Sequence, residues 1–175
     1  MDVRSVTLFP ETPRMKLLLA SLVFLLLAAC APTQGLHLVG QPAPYTRLTM
    51  LDGRYVPLES FKGRTTVLVF WAEWCTSSSP VMRRLNEYAQ TFRGREDVAF
   101  VAVSLDRAED IGKVKERIMY QRLDGFQHAF SGNEGQDEAF MAFAGSSMPY
   151  ILIIDPDGRV VATDDSDGFV QDLVR

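Results

Sequence analysis

The sequence predicts an α/β sandwich with a mixed central sheet flanked by helices, and three observations point there. Two runs of β-branched and aromatic residues, "TTVLVFWA" (residues 65–72) and "VAFVAVSL" (98–105), read as strands buried on both faces. Apolar residues recur at helical spacing after each run, as Val81, Leu85, Tyr88, Ala89 and Phe92, and as Ile111, Val114, Ile118, Met119 and Leu123. Last comes "YILIID", a turn at Pro156-Asp157-Gly158, and "RVVAT", a hairpin pattern. Strand, helix, strand, helix and hairpin in this order imply a sheet with both parallel and antiparallel pairs.

The chain has 175 residues, is 47% hydrophobic and 23% charged, and suits one globular domain. Its net charge of −4 gives nothing that would attract nucleic acid.

Residues 15–30, "MKLLLASLVFLLLAAC", read as an export signal. The thirteen residues from Leu17 to Ala29 are apolar except Ser21, against the ~20 needed to cross a bilayer. Residues 1–14 do not look like the start of a signal, so Met15 is the expected true start. "LAAC" resembles the bacterial lipobox, which implies cleavage after residue 29 and lipid on Cys30; Ala31 in place of aspartate would direct the protein to an outer membrane if there is one. The reading is therefore a signal peptide over 1–29, a lipidated N-terminus and tether over 30–40, and a folded domain over 41–175. Removing 29 of the 175 residues leaves 146, enough for one core.

Within the domain, "YTRLTM", Asp52-Gly53 and "RYVPL" predict a short hairpin. Gly94 ends the first helix. "FQHAFS" is a short strand, and residues 136–145 form a third helix ending at a glycine. His37 and His128 read as solvated or satisfied residues, not as ligands or as a base. No metal site and no cofactor is expected.

With Cys30 acylated, one of the two cysteines remains, so no internal disulfide can form. That residue, Cys75, follows a buried strand directly and precedes a helix. Unpaired N–H groups and the helix dipole there favour a thiolate, and open α/β sheets place their sites at such strand ends. Thr76, Ser77, Ser78 and Ser79 offer capping hydroxyls, and Ser78, three residues on, can aim its hydroxyl at the sulfur. An inert buried thiol is the competing reading.

At "VGQPAPYTRLTMLDGRYVPLESFKGRTTVLVFWAEWC", through "VAFVAVSLD" to "SSMPYILIIDPDGRVV", the chain resembles the TlpA-like membrane-anchored thioredoxins, kin of the redoxin and thiol-specific antioxidant group. The resemblance spans nearly all of the mature chain and implies a thioredoxin sandwich with Trp74 and Cys75 opening the active site. It also implies a cis-proline at Pro149, where the Met148 backbone would pair with a substrate strand. Trp71 is taken with Met148 and Pro149 as a candidate substrate-binding residue. The departures are specific. Ser78 stands where the family's second cysteine belongs, and Val69 stands where thioredoxins carry an aspartate, so both parts serving the resolving step are missing. Pro80 sits earlier than the family's helix proline, which predicts a late or loosened first turn.

Thiol-disulfide exchange passes through a mixed disulfide that a second thiol normally resolves. Cys75 alone implies a monothiol oxidoreductase or isomerase on extracytoplasmic protein thiols or disulfides, with an external thiol as resolver. A one-cysteine peroxidase is the weaker form of that reading, and copper delivery lacks its soft ligands. A binding module that holds a cysteine-containing client in the groove is the alternative.

Overall fold

The computed structural model describes residues 34–164 together with Gly168 and Val170. The expected signal peptide, the Met15 start and Cys30 lie outside the described residues.

A two-stranded antiparallel ribbon comes first, β1 (Arg47–Thr49) with β2 (Tyr55–Pro57). The main sheet is built from β3 (Thr65–Trp71), β4 (Val98–Ser104), β5 (Gln127–Phe130), β6 (Tyr150–Ile154) and β7 (Val160–Asp164), in the order β5-β4-β3-β6-β7. β3 runs parallel to β4, and β4 to β5; β6 is antiparallel to β3, and β7 to β6. The helices are α1 (Ser78–Thr91), α2 (Ile111–Tyr120) and α3 (Glu138–Ala142).

Alternation along β3 divides the core in two. Leu68 and Phe70 join Val101, Val103, Tyr150 and Leu152 against β1, Leu58, Phe61 and the Phe140 and Phe143 rings. Val67, Val69 and Trp71 face the other way, with Ala102, Ile151 and Ile153, and are covered by Val81, Met82 and Leu85 of α1 and Val114 of α2. Both faces of β3 are therefore apolar, which is why its sequence is a continuous hydrophobic run.

Three details differ from the sequence expectation. α1 begins at Ser78 and continues through Pro80, with no late start. A proline at the third helical position gives up an N–H that would have no intrahelical partner. α3 is shorter than residues 136–145: it is capped by the Asp137 carboxylate, which accepts from Phe140 N–H at 3.0 Å. It ends through Ala144 at φ 53°, with Gly145 N–H closing on the Phe140 carbonyl. Finally, the compact unit begins at Gln34, so residues 34–40 are not free tether. Gly40 N–H bonds Val160 O at 2.7 Å, and the Thr163 hydroxyl bonds Gln34 O at 3.1 Å.

The register places the chemistry. Phe70 pairs with Tyr150 at the end of the antiparallel β3/β6 ladder. The residues that follow β3 must therefore lie beside those that precede β6.

Candidate active site

Cys75 sits three residues before α1. Its N–H bonds the Ala72 carbonyl, and its own carbonyl accepts from Ser78 N–H, each at 3.2 Å. The thiol is free and partly exposed. Its Sγ lies 3.2 Å from the Ser77 hydroxyl and 3.9 Å from the Met148 carbonyl oxygen. The Met148–Pro149 bond is cis, and Pro149 is buried while Met148 packs its side chain against the first core cluster.

Burial pushes the Cys75 thiol up, but the hydroxyls and backbone N–H groups of Ser77 and Ser78 outweigh it and bring the thiol below its ordinary value. Ser77 is the bonded neighbour, a role expected of Ser78. Ser78 Oγ is fully buried and finds no hydrogen-bond partner among the described residues. The serines do not cap the helix: Ser77 makes no side-chain cap bond, and Ser79 Oγ accepts from Gln121 Nε2 at 2.5 Å. Thr76 is exposed.

The two tryptophans part ways. Trp74 is 62% exposed beside the sulfur in sequence. Trp71, expected among the substrate-binding residues, is 2% exposed, because its place on β3 turns it onto the face that α1 and α2 cover. Val69 is buried in the same cluster. His128 is held by its Nε2 contact to Leu123 O at 2.7 Å, with burial pushing its pKa down. His37 is exposed in a short 3-10 turn. Among the described residues no group of three or more His, Cys, Asp or Glu side chains could hold a metal ion.

Sequence reasoning missed the support beneath this loop. Asp106, just past β4, is fully buried and accepts Glu73 N–H with both oxygens, at 3.1 and 3.0 Å, and Ser104 Oγ–H at 2.6 Å. Burial raises its pKa, against the opposing pull of the Ser104 and Glu73 bonds. The Glu73 carboxylate in turn takes Arg117 Nη2 at 2.6 Å, tying α2 to the turn that carries Trp74 and Cys75. The sequence signal was "SLD" at the end of a buried strand, where a carboxylate must find donors.

The AhpC/TSA family pattern matches residues 39–163. The chain belongs to the AhpC/TSA family. This AhpC/TSA-family chain is 28% identical over 123 residues to the thiol-disulfide oxidoreductase ResA of Bacillus thuringiensis subsp. konkukian, covering 70% of this chain and 67% of that one. Its fold superposes with TM-score 0.67 on a thiol-disulfide oxidoreductase from Bacteroides fragilis, at 22% identity over 77% of this chain and all of the other. A thioredoxin domain of a thiol-disulfide oxidoreductase from Bacteroides vulgatus gives TM-score 0.66 at 20% identity, over 78% of this chain and 98% of that one. The thioredoxin-like sandwich implied by the sequence resemblance is the fold of this AhpC/TSA-family protein.

Proposed function

We propose that the protein is an exported thiol-disulfide oxidoreductase or isomerase that works through one thiol, Cys75, on extracytoplasmic protein thiols and disulfides. The observation that carries this is the placement of a free, partly exposed sulfur between the Ser77 hydroxyl and the Met148 carbonyl, with its pKa lowered. The thiol-disulfide oxidoreductases among the relatives support the same chemistry. In the forward step the Cys75 thiolate attacks one sulfur of a client disulfide. A Cys75–client S–S bond forms, the client's own S–S bond breaks, and the second client sulfur leaves as a thiolate that takes up a proton. An external thiol then attacks the client sulfur of the mixed disulfide: a client–external S–S bond forms as Cys75 leaves as a thiolate, and a second external thiol attacks that bond, releasing the client as a thiol and leaving the two external thiols joined as a disulfide. Ser77 and Ser78 stabilise the thiolate, Trp74 gives an exposed apolar contact, and Met148 with Pro149 forms the edge against which a client backbone lies.

The reading includes a signal peptide over 1–29 and a lipid on Cys30 that holds the protein at a membrane, facing the periplasm or another extracytoplasmic space. Among the described residues no helix is long and apolar enough to cross a membrane. Ala31, Pro32 and Thr33 then separate the lipid from a domain that begins at Gln34.

Ser78 in the resolving position favours a second reading, a module that traps a cysteine-containing client and does not turn over. One experiment separates the two. The protein is mixed with a peptide disulfide, and the Cys75 adduct is followed by mass spectrometry before and after glutathione. An adduct that forms and is released by added thiol, over repeated cycles, supports the enzyme. An adduct that glutathione leaves intact supports the trap, and no adduct at Cys75 defeats both.

A further inference from the structure

The loop that presents Met148 is held by a residue far from it in sequence. Gln34 Oε1 accepts three bonds from that loop: Ser146 N–H at 2.6 Å, Ser147 N–H at 2.9 Å and the Ser146 hydroxyl at 3.0 Å. Its Nε2 donates to Ser147 O at 3.3 Å. One side-chain amide thus takes the place of a neighbouring strand, accepting from and donating to the backbone of Ser147. The Ser147 carbonyl it grips belongs to the peptide unit that begins Met148, whose own carbonyl faces Cys75 Sγ.

Gln34 is itself fixed. Its main-chain oxygen accepts from Thr163 on β7. Gly35 follows at φ 69°, buried so close to the Tyr150 ring that a side chain there would collide with it. A left-handed backbone pressed against an aromatic ring calls for glycine. Further on, Val160 N–H bonds Gln41 O at 3.0 Å, so the segment lies along β7. The amide therefore reaches the loop from an anchored base, which is what lets it position rather than merely follow.

We propose that Gln34 is a positioning residue for client binding: it holds Ser146–Met148 so that the Met148 backbone is set against Cys75 when a polypeptide disulfide docks. This rests on the proposed exchange chemistry of Cys75. It goes further by separating two things, the intrinsic reactivity of the sulfur, which Ser77 and Ser78 govern, and the docking of a peptide backbone, which Gln34 governs. A small disulfide without a backbone to pair needs only the first.

The test uses full-length protein purified from membranes in detergent, with Cys75 adducts mapped by mass spectrometry. Two probes are compared, the small disulfide cystamine and a cystine-containing peptide. Gln34→Ala is expected to slow adduct formation with the peptide by about tenfold, the size of one net hydrogen bond, and with cystamine by less than about twofold. Gln34→Glu keeps the accepting oxygen and loses the donor to Ser147 O, so it should recover part of the peptide rate. The thiolate absorbance titration of Cys75 should not move in either variant. Loss of general packing would slow both probes together, so equal slowing, or no slowing with either, overturns the inference while leaving the function standing. If the unmodified protein reacts with neither probe, the exchange reading fails and this inference fails with it.

Discussion

The carbonyl oxygen of Met148 lies 3.9 Å from the sulfur of Cys75, across 73 residues of sequence. Antiparallel pairing of β6 with β3 produces this contact. Because Phe70 faces Tyr150, the chain leaving β3 toward Cys75 passes the chain entering β6 from Met148. A nucleophile and a peptide edge are thereby set side by side by the most deeply buried strands of the domain.

The pH dependence of Cys75 should show what stabilises its thiolate. The rate of alkylation by iodoacetamide is expected to follow a titration with its midpoint below the ordinary thiol value, since the Ser77 and Ser78 bonds outweigh burial. Ser77→Ala should move that midpoint upward, and Ser78→Ala should move it upward by less, because only Ser77 is within bonding distance at rest. A folded value below the unfolded one also means that stability rises with pH between the two and is lost as pH falls through the folded value. A midpoint that Ser77→Ala leaves in place would remove Ser77 from the site.

Much of this arrangement was legible in the sequence, for a physical reason. Residues 65–72 and 98–105 are apolar on both faces, which only a central strand tolerates, and a cysteine between such a strand and a helix has few other places to be. Which way Trp71 faces was less legible: two residues after Val69, it shares that residue's buried side. Gln34 and Asp106 were missed for another reason. Each acts on backbone groups that are distant in sequence, through contacts made by the fold rather than by spacing.

Asp106 should support the active-site turn in a pH-dependent way. Asp106→Ala leaves Glu73 N–H and Ser104 O–H without their acceptor, at a cost of about 2 kcal/mol, or roughly 8 °C in Tm for a domain of this size. Asp106→Asn keeps one accepting oxygen and should lose less. Burial raises the Asp106 pKa, so in wild type the unfolded chain gives up its proton first as pH climbs above the ordinary carboxylate value. Stability then falls with rising pH up to the raised value. Thermal unfolding across that window should show the fall in wild type and its loss in Asp106→Asn; a constant gap between the two at every pH would mean that Asp106 does not titrate there.

Cys30 is expected to carry the membrane anchor. Cys30→Ala should accumulate as uncut precursor, as should the unmodified protein when lipoprotein signal processing is inhibited. Fractionation and intact-mass measurement decide it: normal processing and membrane retention of Cys30→Ala would show that another feature holds the protein there.

Ser78→Cys should restore an internal resolving step, though only in part. Unaltered, the protein is expected to form a mixed disulfide with a model peptide that persists until thiol is added, and to fail to reduce insulin without an added reductant. In the variant, the new thiolate can attack Cys75 Sγ, form a 75–78 disulfide and release the client as a thiol. The shared turn favours this, because Ser78 opens α1 three residues after Cys75 and its N–H already bonds the Cys75 carbonyl. Burial opposes it. Position 78 is closed to solvent, which raises a thiol's pKa, and Val69, packed among Val81, Met82 and Leu85 of α1, offers no carboxylate to take the proton. The adduct half-life should therefore shorten by about tenfold rather than collapse, and it should shorten further as pH rises and the new thiol ionises. An unchanged half-life at every pH would show that a sulfur at position 78 cannot reach Cys75, and that the missing cysteine is not what makes the adduct persist.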